Sequence, residues 1–298
     1  LRHEVREFLS DALKDVPKET RAETWYGADE NFSRKVGQQG WIGLNWPKEH
    51  GGAGRSSMER YVILEEMLTA GAPVGAHWIS DRQSGPLIIR YGTEKHQKEL
   101  LPGILKGESY FCIGMSEPDS GSDLAALRTK AEKKGDIYLV NGTKLWTSGA
   151  HRCQYMIALF RTSQEEDRHG GFSQFIVDLS LPGVTIRPII DLAGRHHFNE
   201  VIFEDVEVPE DMLIGTEGNG WNQVTAELAL ERSGPERYLS SYMLLQELVN
   251  EFSNKNDDEG VTEIGRQMSH LTTLRQMSVS VAGMLDQGEN PALEASVV

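Results

Sequence analysis

The spacing of apolar residues changes period twice along this chain, and that change constrains the fold more than any single residue does. From Leu1 to about Tyr110 the spacing is helical. Leu1, Val5, Phe8, Leu9 and Leu13 fall on one face, and Met58, Tyr61, Val62, Leu64, Met67 and Leu68 do so again after the break Gly51-Gly52-Ala53-Gly54. Thr93 is placed to cap a third helix with Leu100, Leu101, Ile104 and Leu105 on its apolar side, kinked at Pro102. From Phe111 to about Gly215 the period shortens to that of strands: Ile137–Val140, Tyr155–Arg161, Phe175–Val177, Val184–Ile190 and Glu200–Phe203, with Asn141-Gly142 reading as a hairpin turn. From Trp221 the helical period returns, through a long helix to Phe252 bent at Gly234-Pro235, another over Ile264–Leu285, and a third starting at Pro291.

Helix, then strand, then helix is the α+β class. The expected architecture is an N-terminal helical domain over 1–110, a middle antiparallel β-barrel or sandwich domain over 111–215, and a C-terminal helical-bundle domain over 216–298. That last domain stops within a helix at Val298 and reads as incomplete. Alternating βαβ units are absent from the pattern. Gly215-Thr216-Glu217-Gly218-Asn219-Gly220 lacks the spacing of a dinucleotide fingerprint and reads as an interdomain turn.

With 298 residues, 39% hydrophobic and 25% charged, the chain has the composition of a soluble globular protein. No apolar run approaches the about 20 residues that span a bilayer, and Leu1-Arg2-His3-Glu4-Val5 does not resemble a signal peptide. The net charge of −15 argues against nucleic acid or an anionic membrane as partner. Cys112 and Cys153 lie on apolar stretches read as strands and are expected to be reduced thiols. His196-His197 are adjacent, point apart on an extended chain and have no partner at ligand spacing, so no metal is assigned.

The chemistry concentrates in Phe111–Ala150. Met115-Ser116-Glu117-Pro118-Asp119-Ser120-Gly121-Ser122-Asp123 is a small, hydroxyl-rich turn leaving a strand, and Trp146-Thr147-Ser148 supplies an aromatic face and two more hydroxyls. Such a set suits a planar, hydrogen-bonding, phosphate-bearing cofactor.

These segments resemble the signature of acyl-CoA dehydrogenases. Further matches are Gly43-Leu44-Asn45-Trp46-Pro47, Tyr91-Gly92-Thr93-Glu94-Lys95 with Leu101-Pro102, and Phe203-Glu204-Asp205-Val206-Glu207-Val208-Pro209 with Leu213-Ile214-Gly215. The resemblance implies a FAD-dependent oxidoreductase that converts an acyl-CoA thioester to the trans-2-enoyl-CoA. It implies that Met115 and Ser116 meet the pyrimidine edge of the flavin, and that Gly121 and Ser122 approach flavin phosphate and substrate. Trp146 would cover one ring face, Thr147 would belong to the same cofactor segment, and Ser148 would donate toward N5. Glu231 matches the catalytic base of one branch of the family, followed by Arg232 on the substrate side. The implied electron acceptor is an electron-transferring flavoprotein, and the implied assembly a homo- or hetero-oligomer, dimer or tetramer, in the cytoplasm or, in a eukaryote, the mitochondrial matrix. The basic-aromatic-glycine motif by which many relatives reach a neighbouring subunit's FAD is not found in Glu251–Val298. A non-catalytic or partner-dependent subunit, and a flavin oxidase or monooxygenase on the same fold, are the alternative readings.

Overall fold

The computed structural model describes the backbone of residues 1–231, 234–253, 258–289 and 291–298, and their side chains except those of Thr24, 226–231 and Ala292. In chain order the helices before the sheet are α1 (Arg2–Ala12), α2 (Lys18–Ala22), α3 (Glu30–Gln38), α4 (Ser57–Thr69), α5 (Gly75–Ile79), α6 (Gly85–Tyr91) and α7 (Glu94–Leu105). The strands are β1 (Phe111–Gly114), β2 (Lys130–Lys134), β3 (Ile137–Ser148), β4 (Tyr155–Arg161), β5 (Phe172–Asp178), β6 (Val184–Ile190) and β7 (His196–Pro209). Then follow α8 (Gly220–Glu231), α9 (Glu236–Leu239), α10 (Tyr242–Phe252), α11 (Asp258–Asp286) and α12 (Ala292–Ala295). The expected order of helices, strands and helices is the one observed. Among the described residues no helix is long and apolar enough to cross a membrane.

Packing divides the chain into two compact units, Leu1–Trp78 with Leu228–Val298, and Ile79–Glu227. In the first, Val5, Leu9 and Ala12 recur at helical spacing and are the buried residues of α1. The start of α4 carries a capping box in which Ser56 accepts from Glu59 N and the Glu59 carboxylate accepts from Ser56 N. Two buried carboxylates on α4 are neutralised by guanidiniums from elsewhere in the chain: Glu65 by Arg2 (2.5 Å) and Arg275 (2.6 Å), Glu66 by Arg2 (2.5 Å) and Arg6 (2.6 Å). The expected single helix over Trp221–Phe252 is interrupted among the described residues: α9 starts afresh after Pro235, and Ser240-Ser241 separate it from α10.

In the second unit all seven strands form one sheet, in the order β1-β4-β2-β3-β7-β6, with β5 paired to β4. Pairing is mainly antiparallel, but β4 runs parallel to β1 and to β2, neither of which is joined to it by a hairpin. Residues Met156–Phe160 of β4 are all buried, so this strand is covered on both faces, while β7 alternates with Asn199, Val201 and Phe203 inward. Met156, Phe160, Phe175, Val201, Phe203 and Val206 are among the residues of its core.

Asn141-Gly142 is not the hairpin turn that the dipeptide suggested. β3 runs straight through it, with a register shift between Val140 and Gly142. The turn lies at Gly135-Asp136, since Lys134 pairs with Ile137 and Gly135 has φ +65°. The extra residue of that shift is on β7, where Asp205 has φ +51°, while Gly142 stays paired with Phe203 at φ +146°, where an added Cβ would lie 2.5 Å from Thr129 Oγ1. Cys112 is buried in β1 as expected, whereas Cys153 ends a short turn before β4 and is half-buried; both are free thiols.

Candidate functional site

The site is built where β1 leaves the sheet and meets the middle of β3. Gly114 permits that exit, since a Cβ there would come within 2.4 Å of Met156 Sδ on the neighbouring strand. The next residues are tied to β3 through their carbonyls: Met115 O accepts from Lys144 Nζ at 3.0 Å, and Ser116 O accepts from Leu145 N at 2.8 Å. Reciprocal bonds between Glu117 and Ser120, 2.7 and 3.1 Å, close the turn over Pro118-Asp119.

The Glu117 carboxylate points inward. It accepts from Lys144 Nζ at 2.8 Å, Arg128 N at 2.6 Å and Thr129 N at 3.0 Å. Burial alone would raise its pKa, but the Lys144 charge and these donors outweigh it and hold the carboxyl below its ordinary value. Lys144 fares differently. Its side chain is wholly buried, and loss of hydration brings the ammonium down to about 8 in spite of Glu117. Both members shift downward because the carboxylate has three donors replacing its water, while the ammonium has only one carboxylate and one carbonyl.

Two residues past Lys144 the backbone does something a strand rarely does. Trp146 has φ +61°, inside a register shift between Lys144 and Thr147. A left-handed conformation for a bulky residue costs about 1–2 kcal/mol, and the core does not recover it by burying the ring. The indole is 56% exposed, touching Phe198 edge to face at 5.9 Å. The adjacent Thr147 is buried and its Oγ1 has no hydrogen-bond partner, as is true of Ser120 Oγ. Backbone strain next to a buried, unpaired hydroxyl, as at Trp146-Thr147, is a combination that clusters at functional sites. Ser148 is half-buried and pairs with Phe198 in the ladder, and Gly149 N donates to His197 O at 2.9 Å.

The structure therefore brings Met115, Ser116, Trp146, Thr147 and Ser148 together on one junction of β1 and β3. Gly121 and Ser122 lie just beyond the turn and are exposed; no atom lies within 4 Å of where a Gly121 Cβ would be, so the fold itself does not require glycine there. The side chain of Glu231, and Arg232 as a whole, lie outside the described residues. Sequence reasoning missed Glu117, Lys144 and Asn199. A signal existed for Lys144: Tyr138 and Val140 are inward residues of the same strand, so a lysine in that alternation demands a buried anion. An exposed indole beside strand-end hydroxyls and carbonyls pinned from below fits a planar, hydrogen-bonding ring such as flavin.

Known proteins match this chain over most of its length. The family model for the acyl-CoA dehydrogenase N-terminal domain matches residues 1–108, and that for the acyl-CoA dehydrogenase middle domain matches residues 112–206. The chain is 37% identical over 268 residues to acyl-CoA dehydrogenase FadE29 of Mycobacterium tuberculosis, covering 89% of this chain and 68% of that protein. It is 33% identical over 311 residues to acyl-CoA dehydrogenase IpdE1 of Mycolicibacterium smegmatis, covering 97% and 79%. Among solved structures, the Tcur3481-Tcur3483 steroid ACAD superposes with a TM-score of 0.90 at 29% identity, over 99% of this chain and 78% of that one. The ChsE4-ChsE5 complex from Mycobacterium tuberculosis gives 0.85 at 31% identity, over 99% and 78%. The match of both family models, together with these relatives, makes this protein a member of the acyl-CoA dehydrogenase family of flavin-dependent oxidoreductases.

Proposed function

We propose that the protein binds FAD at the β1–β3 junction and oxidises an acyl-CoA thioester to the trans-2-enoyl-CoA. The observation that carries this is Trp146, a large aromatic held in a strained backbone conformation yet left open to solvent. Bound flavin supplies a hydride acceptor. This chain's residues would supply the rest: the Trp146 indole would cover one ring face, the Ser148 hydroxyl would donate toward N5, and the Met115–Ser116 segment would meet the pyrimidine edge. Gly121 and Ser122 lie toward phosphate and the CoA moiety, with Arg232 on the substrate side.

Glu231 is the proposed base that takes the proton from C2 of the thioester. An α-proton beside a thioester is too weak an acid for a hydrated carboxylate to remove, so the residue must work from a dry position that raises its basicity. Excluding water also strengthens the hydrogen bonds to the thioester oxygen as enolate character develops. Electrons then leave to an electron-transferring flavoprotein. The solved relatives include a steroid ACAD and a two-chain complex, which supports a bulky thioester as substrate and a partner chain of the same fold.

The test is the colour of the purified protein and its response to a panel of acyl-CoAs, steroid side-chain thioesters included. The expected result is a bound flavin that bleaches with one class of thioester, and a Glu231→Gln protein that stays yellow but no longer bleaches. A colourless protein that takes up no added FAD, alone or with partner subunits, would overturn the reading. Bleaching of the Glu231→Gln protein at the unaltered rate would remove Glu231 as base.

A further inference from the structure

Asn199 is fully buried, and its side chain joins the cofactor segment to two histidines that the function above does not use. Nδ2 donates to Thr147 O at 2.9 Å. Oδ1 faces His151 Nδ1 at 3.2 Å and His196 Nε2 at 2.7 Å. A backbone carbonyl can only accept, so the amide nitrogen must be the atom toward Thr147, and the amide oxygen must then receive a proton from each imidazole. Each ring is thereby fixed as the tautomer protonated on the nitrogen nearest Asn199. The rings stack at 3.8 Å between centroids and 21° between planes, so each limits rotation of the other.

This clamp acts where the backbone has most reason to relax. Residue 146 is left-handed, and the ladder between β3 and β7 resumes only at the pair Thr147–Asn199. Outside the β3–β7 ladder itself, the described bonds holding the backbone around the bulge include Leu145 N to Ser116 O, the Asn199 side chain to Thr147 O, and Gly149 N to His197 O. Of these the Asn199 bond alone comes from a side chain, and its direction is set by two more side chains. Resting on the flavin reading, we propose that Asn199, oriented by His151 and His196, is a positioning residue that fixes the pose of Trp146–Ser148 against the isoalloxazine.

The test uses the full-length protein, with its partner subunit where one copurifies, stripped of flavin and titrated with FAD. Asn199→Asp keeps the shape but replaces the donor to Thr147 O with an acceptor. It should weaken FAD binding at least about tenfold, the loss of one hydrogen bond plus an unpaired carbonyl, and shift the visible bands of the flavin that binds. His196 is only partly buried, so His196→Ala is a milder probe that should fold normally. It should weaken FAD binding by about threefold, the weak end of what one hydrogen bond contributes, and His196→Gln, which restores an N–H donor, should recover it. If the native protein binds FAD and His196→Ala matches it in affinity and spectrum, the positioning role is overturned while the flavin reading stands. An Asn199→Asp protein whose thermal midpoint falls while the His196 pair shows no loss and rescue also overturns it. If the native protein binds no FAD, the flavin reading falls and takes this proposal with it.

Discussion

Lys144 Nζ lies 2.8 Å from Glu117 Oε1, and neither side chain is open to solvent, so the turn that follows β1 and the strand that carries Trp146 are joined by a buried ion pair. Removing one partner leaves the other charge unpaired. Lys144→Met should therefore destabilise the fold by about 3–5 kcal/mol. Urea unfolding of the two proteins checks this, and a difference below about 1 kcal/mol, the scale of an exposed pair, would mean the pair carries little.

Trp146 trades stability for exposure. Trp146→Gly removes the left-handed penalty and gives up only a partly exposed ring, so the flavin-free protein should be as stable or gain up to about 1 kcal/mol, while FAD affinity drops sharply. Thermal midpoint and FAD titration are read on the same samples. A clearly less stable Gly variant would assign the indole to the core instead.

Two glycines should behave oppositely. Gly142→Ala forces a Cβ against Thr129 at a positive φ and should cost about 1–3 kcal/mol. Gly121→Ala meets no atom within 4 Å and should leave the urea midpoint unchanged, with any loss confined to FAD or acyl-CoA affinity. Equal affinities in the Gly121→Ala protein would take position 121 out of the site.

His151 gives a pH dependence with a definite sign. Burial first, then the stacked His196 and the nearby Arg152 charge, bring its imidazole from an ordinary 6.5 down to about 4. Between those values the unfolded chain binds a proton that the folded one refuses, so this group lowers stability as pH falls from 6.5 towards 4 and adds no slope outside that window. His151→Gln should flatten the urea midpoint against pH across that interval. A mutant profile parallel to that of the native protein would show that His151 is protonated freely in the fold.

Much of the architecture was legible because it follows from short-range rules. Val5, Leu9 and Ala12 share a helix face whatever surrounds them, and Tyr155–Arg161 is a strand in both the pattern and the structure. The Asn141-Gly142 dipeptide misled because these residues also suit a place opposite a bulge: Asn141 bonds Asp205 of β7 and Gly142 makes room for Thr129, and only pairing with β7 decides between the two.

The sequence by itself determined the helix–strand–helix order and the family, since period, turn residues and motif spacing are set within a few residues of one another. Tertiary structure alone decided that Lys144 neutralises Glu117 across 27 residues, that Asn199 grips Thr147 across 52, and that Trp146 turns outward. Alternation along a strand tells which side chains face inward, but which inward groups meet depends on how distant strands register, and that is settled only when the sheet assembles.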